Sequence, residues 1–226
     1  PTGIAIEIAD NLPAAEIEKQ ANYIHGLEFD RVGKKVRINL IAIRDKSNNT
    51  GTFANAVKAV QGASALPLMM ISSNPAVLEA GAAIAKDKKP LLYGANPQNY
   101  QAMAEIAKKY NCPLGVVAKD LDELADLTPK ITALGIKELV LDPSCQGVTN
   151  TRQLLSDITQ IRRLALKKTF RPLGFPVMAF SPENATPYEE SIFAATFIAK
   201  YAGIVVLKGK EFWQMLPLVT IRQNIY

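Results

Sequence analysis

Eight short apolar runs divide the chain into repeating units. Each run is rich in Val, Ile and Leu, and is followed by a polar break and then by a segment with helical periodicity. Runs that are apolar at nearly every position are typical of parallel strands buried on both faces. Their starts recur about every 23 to 37 residues, the length of one strand, one loop and one crossover helix. The pattern predicts an α/β fold, a (β/α)8 TIM barrel, with strands in residues 3–8, 36–43, 67–71, 90–93, 114–118, 138–141, 175–180 and 203–207.

The segments between the runs carry helix signals. Apolar side chains recur at i, i+3 and i+4 spacing in residues 96–110, and residues 121–134 repeat the pattern with Gly135 placed to end the helix. Asn74 and Asn96 each precede a proline, the combination of an N-capping side chain and a proline at the first helical position. We therefore expect helices to begin directly after Asn74 and Asn96.

Length and composition favour a single domain over residues 1–226. This length is near the lower end for a TIM barrel, and 48% hydrophobic with 21% charged residues is ordinary for a globular protein. Apolar runs stay well below the roughly 20 residues that a bilayer requires, and the start lacks a basic leader. We expect no membrane span and a cytoplasmic location. The missing initiator Met leads us to expect the central piece of a longer protein.

The net charge of +5 does not predict a nucleic-acid partner, because Lys and Arg are spread along the helices. Basic residues near 86–89 and 166–168 fall at predicted helix ends, where cations favour the helix dipole. Two cysteines are too few for a four-thiolate cluster, and both Cys112 and Cys145 are expected to be free thiols.

Polar side chains follow the predicted strands, at the end of the barrel where TIM barrels bind ligands. From this ring we select five candidate ligand-binding residues: Asp10, Arg44, Asn96, Asp142 and Lys208. The other polar residues in the ring are Glu7, Asp45, Ser72, Ser73, Lys119, Asp120, Ser144, Gln146, Ser181, Glu183, Asn184 and Lys210.

The ring does not resemble a known catalytic set, so we predict neither catalytic residues nor a metal site. The only histidine, His25, falls on the first helix, away from the carboxyl ends of the strands. Pairs of His, Cys or carboxylates at metal-ligand spacing are missing from the ring. Lys208-Gly209-Lys210 could cradle an anion, but this signal is weak and chance is the favoured explanation.

Asp142 is the strongest single candidate. It ends a buried run and precedes Pro143, which stiffens the following turn. Its carboxylate could accept hydrogen bonds from the N–H groups of a heterocycle, or it could cap the loop. Both interpretations remain open at this point.

Five segments carry a resemblance to a known family: KPLLYGA at 89–95, NYQAMA at 99–104, AKKYNCPL at 107–114, LDELA at 121–125 and GIKELVLDP at 135–143. In these segments the chain closely resembles the large subunit of the corrinoid iron-sulfur protein, also called the gamma subunit of acetyl-CoA decarbonylase/synthase. The similarity extends over the whole chain and is strongest between residues 89 and 143.

The resemblance implies a parent protein with three parts: a four-cysteine domain holding a [4Fe-4S] cluster, a central TIM barrel and a corrinoid-binding domain. This chain corresponds to the barrel alone. The corrinoid (cobamide) and the [4Fe-4S] cluster therefore belong to the parent, and neither is assigned to residues of this chain.

The family's barrel is in turn similar to the pterin-binding barrels of dihydropteroate synthases and methyltetrahydrofolate methyltransferases. Asp142-Pro143 matches their Asp-Pro, and Lys208 stands where they have a basic residue. Tyr93, however, takes the place of their Asn, and Glu183 is acidic where the synthases have a base. These departures argue against the same pterin pocket.

The resemblance implies a barrel within a methyl carrier that takes a methyl group from methyl-tetrahydropterin on cobalt and passes it to acetyl-CoA synthase. The barrel itself is expected to be non-catalytic and to form a heterodimer with the small barrel subunit. Other implied partners are the methyl-pterin methyltransferase and acetyl-CoA synthase/CO dehydrogenase. The alternative is an autonomous pterin-dependent methyltransferase or synthase using Asp142, Asn96 and Lys208. A third possibility is a mouth plugged by Tyr93 and Phe180.

A barrel with this role needs a docking surface for its partner. Four aromatic residues in the last third of the chain are candidates for exposed apolar positions on such a surface: Phe170, Phe175, Phe212 and Trp213. Aromatic residues are more often core than interface, so a core position is the alternative for each of them.

Overall fold

A computed structural model describes residues 1–144 and 150–226. Its strands and helices, in chain order, are β1 (Gly3–Ala9), α1 (Ala14–His25), β2 (Glu28–Arg31), β3 (Lys34–Arg37), β4 (Leu40–Arg44), α2 (Thr50–Ala63), β5 (Leu68–Ile71), α3 (Pro75–Ala85), β6 (Leu91–Ala95), α4 (Tyr100–Tyr110), β7 (Leu114–Val117), α5 (Leu121–Ala133), β8 (Leu139–Asp142), α6 (Thr151–Lys167), β9 (Met178–Phe180), α7 (Pro187–Ala199), β10 (Ile204–Leu207) and α8 (Phe212–Ile225). Short 3-10 turns lie at Lys86–Lys88 and Arg171–Leu173.

Eight parallel strands form the barrel that the sequence predicts. Their order around the sheet is β8-β7-β6-β5-β4-β1-β10-β9, so every strand lies beside its neighbours in the predicted sequence of βα units. Between β8 and β9 the described residues show one bridge, Leu141 to Val177, with the Leu141 N–H donating to the Pro176 carbonyl at 2.8 Å. This bridge is the seam that closes the ring.

The barrel strands are buried on both faces, as the weak alternation in the sequence predicts. A large core lies between the barrel and its helices. A smaller cluster fills the barrel interior and consists of Ala5, Ala42, Met69, Ile71, Leu91, Tyr93, Val117, Met178, Phe180 and Val206. The interior is packed with side chains, as is usual for TIM barrels.

One prediction about the strands is wrong. The run at 36–43 was expected to be a single strand, but β3 pairs antiparallel with β2 in a separate hairpin and only β4 joins the barrel. Val32 and Gly33 both have positive φ, as a two-residue hairpin turn requires. The break falls at Asn39, whose side chain accepts a hydrogen bond from the Ile4 N–H at 3.0 Å.

The helix signals are confirmed in most places. The Asn74 side chain caps α3 by accepting from the Ala76 N–H at 3.1 Å, and Gly135 follows α5 with a φ of +97°. Asn96 is the exception, because α4 begins at Tyr100. The Asn96 side chain accepts from the N–H groups of residues 98 and 99 and so caps a local turn. No helix in the described ranges has the length and apolarity to cross a bilayer.

Gly94 sets the conformation of β6 next to the barrel interior. Its φ is +131°, and the register with β7 shifts between Tyr93 and Ala95. A Cβ on Gly94 would lie 2.0 Å from the Ser72 carbonyl oxygen. This position therefore excludes any side chain, both by backbone conformation and by space.

We predict that Gly94→Ala lowers the free energy of unfolding by about 3 kcal/mol or more, through backbone strain and the clash with Ser72. Gly62→Ala is the matched control, because its Cβ would meet nothing within 4 Å on an exposed face of α2. That change should leave stability unaltered or raise it by about 0.5 kcal/mol. Urea unfolding followed by circular dichroism measures both. Equal stability of the two variants would contradict this account of β6.

Candidate functional site

The five candidate residues all lie at the carboxyl ends of barrel strands. Arg44 and Asp142 are the last residues of β4 and β8, and Asp10, Asn96 and Lys208 follow β1, β6 and β10. The sequence therefore placed them correctly at one end, which we call the mouth. The hydrogen bonds and ion pairs of these five side chains determine which chemistry the mouth can support.

Asp142 is fully buried and is bonded inside the protein. The Tyr93 hydroxyl donates a hydrogen bond to its Oδ2, across the interior from β6 to β8. Its Oδ1 accepts from the Ser144 N–H at 2.7 Å and from the Ser144 hydroxyl at 2.5 Å. The carboxylate thus caps the loop after β8 and also accepts from the phenol, which is the arrangement that the capping interpretation of Asp142 predicts.

Tyr93 fits inside the barrel because its neighbour on β7 has no side chain. A Cβ on Gly115 would lie 2.7 Å from Cδ2 of the Tyr93 ring. The Phe180 ring packs against the same phenol with centroids 4.9 Å apart. Tyr93 and Phe180 thus fill the barrel interior next to the mouth. The third possibility in the sequence analysis, a mouth plugged by these two residues, predicts this packing.

Arg44 is held beside this aromatic pair. Its Nε lies 2.7 Å from Glu7 Oε1 in a largely buried ion pair, although the N–H is not well aligned for a hydrogen bond. Its guanidinium also lies 5.5 Å from the centroid of the Phe180 ring. Burial is the largest single effect and disfavours the charge, but Glu7, together with smaller contributions from Tyr93 and Glu183, outweighs it and raises the pKa of Arg44. The guanidinium is therefore a cation paired with Glu7.

Lys208 and Glu183 pair with each other. The Lys208 ammonium lies 3.0 Å from Glu183 Oε1 and donates to the Glu183 carbonyl at 2.7 Å. The hydrogen bond to Lys208 lowers the pKa of Glu183, against a smaller opposing effect of desolvation. Lys46 lies 3.8 Å from the same carboxylate. Glu183 therefore pairs with Lys208, the lysine that the sequence analysis named as part of a weak anion-binding signal.

Glu190 is a buried acid that the sequence analysis missed. Its Oε1 accepts from the Ser181 hydroxyl and the Lys208 N–H, and its Oε2 from the Gly209 N–H, all at 2.7 Å. Gln214 Nε2 donates to Oε2 at 2.8 Å. The Lys208-Gly209-Lys210 loop does bind an anion, and that anion is a carboxylate of the protein itself. The sequence does contain a signal for this burial, because Glu190 lies on the same apolar stripe of α7 as Phe193.

Hydrogen bonds also join the loops around the rim. Asp10 is buried and accepts from the N–H groups of residues 46 and 47 at 2.8 and 3.1 Å, which ties β1 to the loop after β4. Asp45 accepts from the Ser72 hydroxyl at 2.7 Å, and Asn99 donates to a carbonyl of the β5 loop at 2.9 Å. Each of these loops is fixed to the next one around the barrel.

The described residues do not provide a metal centre. Groups of three or more His, Cys, Asp or Glu side chains that could hold an ion are absent from residues 1–144 and 150–226. Burial raises the pKa of the Cys112 thiol to about 11, which keeps it protonated and unsuited to metal binding. Cys145 and Gln146 lie outside the described residues. With two cysteines in the whole chain, a four-thiolate iron-sulfur cluster does not fit.

A known family matches the chain from end to end. The family model of the CO dehydrogenase/acetyl-CoA synthase delta subunit matches residues 1–226. The chain belongs to this family.

Curated relatives agree with the resemblance noted in the sequence. The chain is 44% identical over 225 residues to the corrinoid/iron-sulfur protein large subunit of Moorella thermoacetica, covering 100% of the chain and 50% of that protein. It is 32% identical over 238 residues to the acetyl-CoA decarbonylase/synthase complex subunit gamma of Methanothermobacter thermautotrophicus, covering 100% and 51%. The chain thus spans about half the length of these relatives.

Solved structures confirm the predicted fold type. Dihydropteroate synthase from Thermus thermophilus superposes with a TM-score of 0.72 at 12% identity, covering 100% of this chain and 94% of that one. The 7,8-dihydropteroate synthase from Vibrio fischeri gives 0.71 at 16% identity, covering 99% and 93%. At such identities the similarity shows a shared barrel and nothing about the ligand.

We predict that Tyr93→Phe lowers the free energy of unfolding by about 1–3 kcal/mol, because the buried Asp142 oxygen loses a hydroxyl donor while the ring stays in place. Tyr100→Phe is the control, since the one hydrogen bond of its hydroxyl in the described part of the chain comes from the exposed Gln101 side chain at 3.4 Å. The control should change stability by less than about 0.5 kcal/mol. Chemical denaturation of both variants measures the difference, and a neutral Tyr93→Phe would show that the contact is not needed.

Proposed function

We propose that this barrel is the non-catalytic platform of a corrinoid iron-sulfur methyl carrier. The parent protein would take a methyl group from methyl-tetrahydropterin on cobalt and pass it to acetyl-CoA synthase. Membership of the family and the names of the relatives support this assignment. No step of the transfer is assigned to residues of this chain, because those that the structure describes fit neither the cluster nor a metal site.

The pairing of polar groups at the mouth carries the non-catalytic part of the proposal. An active site needs a base, an acid or an anion-binding group that can reach a substrate. Here Asp142 bonds to Tyr93, and Lys208 pairs with Glu183. An autonomous pterin enzyme would have to break both arrangements. The mouth is better suited to hold loops in place.

We predict that the chain binds neither methyltetrahydrofolate nor its archaeal analogue with a saturable heat in calorimetric titration. A methyltetrahydrofolate-binding enzyme titrated with the same ligand stock is the positive control. A dissociation constant near one micromolar, about −8 kcal/mol, that is lost in Asp142→Asn would instead support the autonomous enzyme. That result would overturn the non-catalytic assignment.

A second part of the proposal concerns the surface through which the platform docks a partner. We propose that the small barrel subunit binds to an apolar surface on α7 and α8, which we call the α7–α8 face. Its residues are Tyr188, Ile192, Phe212, Trp213 and Leu216, all of them exposed. Exposed apolar residues grouped in this way are typical of protein interfaces.

The α7–α8 face is held in shape by its own contacts. The rings of Tyr188 and Trp213 lie 4.9 Å apart, and Ile192 follows Tyr188 by one helical turn. Phe212 packs on Phe29 of the β2–β3 hairpin with centroids 4.7 Å apart. Such a preformed aromatic surface binds a partner with little loss of side-chain entropy.

The four aromatic candidates for docking differ in their exposure. Phe212 and Trp213 are exposed on α8, and Phe170 is 39% exposed. Phe175 is half-buried against the outer core, so its part in a docking surface is the weakest.

We predict that Ile192→Asp in the full-length protein weakens its complex with the small subunit by at least about tenfold, because the change places a charge within the proposed apolar interface. Val32→Asp is the control: it replaces an 88% exposed apolar residue at the hairpin tip, outside the α7–α8 face. It should alter affinity by less than about twofold.

Surface plasmon resonance measures the affinity, and hydrogen exchange should show protection of α7 and α8 in the complex. If both variants bind like the wild type and no barrel segment gains protection, the docking role is wrong.

A further inference from the structure

A basic groove lies at the opposite end of the barrel from the mouth. It runs between the carboxyl-terminal ends of α6 and α7 and encloses about 370 Å³. Its cations are Arg162, Arg163, Lys167 and Lys200, and Leu166 and Tyr201 are its main apolar members. We call this feature the α6–α7 groove.

The four cations of the α6–α7 groove have no acidic partner in the described part of the chain. The ion pairs found there all involve other residues. The helix dipole favours Lys167 in the last turn of α6, but it does not account for four cations around one concave surface. Such a surface has an attractive potential for negative charge.

The apolar members show what kind of anion fits. Leu166 lies between the cations and is 71% exposed. Its apolar side chain would be more stable covered by a ligand than in contact with water. Tyr201 carries a bulky side chain at a φ of +63°, a backbone conformation that favours glycine. A ligand that brings apolar side chains as well as negative charges would therefore bury Leu166 while its charges pair with the cations.

Two neighbouring side chains already contact the Tyr201 ring, which disfavours it as a stacking platform for bases. The Arg162 guanidinium lies 4.6 Å from its ring centroid, and the Tyr226 ring meets it edge-on at 5.6 Å. Single-stranded nucleic acids gain much of their affinity by stacking bases on open aromatic faces. Guanidinium groups, in contrast, pair well with carboxylates in a fixed bidentate geometry.

We propose that the α6–α7 groove is a docking site for an acidic peptide segment whose carboxylates pair with the four cations and whose apolar side chain packs on Leu166. This surface is separate from the mouth and from the α7–α8 face. Its function therefore does not depend on the proposals made for those two regions.

Fluorescence anisotropy with a labelled octapeptide of alternating glutamate and leucine tests the proposal. We expect saturable binding that weakens about tenfold in Arg163→Glu/Lys167→Glu and about threefold in Leu166→Ser, which leaves the charge unchanged. The control is Lys58→Glu/Lys130→Glu, which makes the same change in net charge at exposed positions on α2 and α5. It should alter affinity by less than about twofold.

Three outcomes would overturn the proposal. Equal weakening in both charge-reversal variants would show that only the net charge matters. Tighter binding of a labelled oligothymidine, with the same dependence on Arg163 and Lys167, would indicate a nucleic-acid site. Absence of saturable peptide binding would show that the groove has no such ligand.

Discussion

The hydrogen bond from the Tyr93 hydroxyl to the Asp142 carboxylate is the contact around which the mouth is organised. A buried carboxylate must be bonded, and its donors among the described residues include a phenol from β6 and the hydroxyl and N–H of Ser144. Gly115 makes the space for the phenol, and Phe180 packs against it. Arg44 then rests on Phe180 and pairs with Glu7. The contact between Tyr93 and Asp142 thus determines how side chains fill the barrel interior next to the mouth.

The same principle extends to the rest of the mouth. Asp10 and Glu190 are buried acids that bind loop N–H groups, and Glu183 binds Lys208. In many barrels of this type such groups face a ligand. Here, within the described residues, they face one another. The polar groups at the mouth thus join and stabilise the loops of the barrel.

The sequence predicted the barrel and its strand order because eight doubly buried strands leave a strong signal of apolar runs. It predicted the end at which Asp142 and Lys208 lie for the same reason. It could not predict their partners, because the contacts of Asp142 with Tyr93 and of Lys208 with Glu190 join residues far apart in the chain. The sequence analysis missed the β2–β3 hairpin because Val36 of β3 lies so close in the chain to the apolar residues of β4 that the two strands look like one apolar run.

The seam between β8 and β9 has a consequence for how the barrel moves. The other neighbouring strands share several register pairs, whereas the described residues of this pair share the bridge from Leu141 to Val177. A ring opens where the fewest bonds must break, so brief local opening should concentrate at this seam. Because Asp142 follows Leu141 directly, each such opening would also loosen the carboxylate that Tyr93 holds. Local opening between β8 and β9 would thereby be coupled to loss of the hydrogen bond between Tyr93 and Asp142 at the mouth.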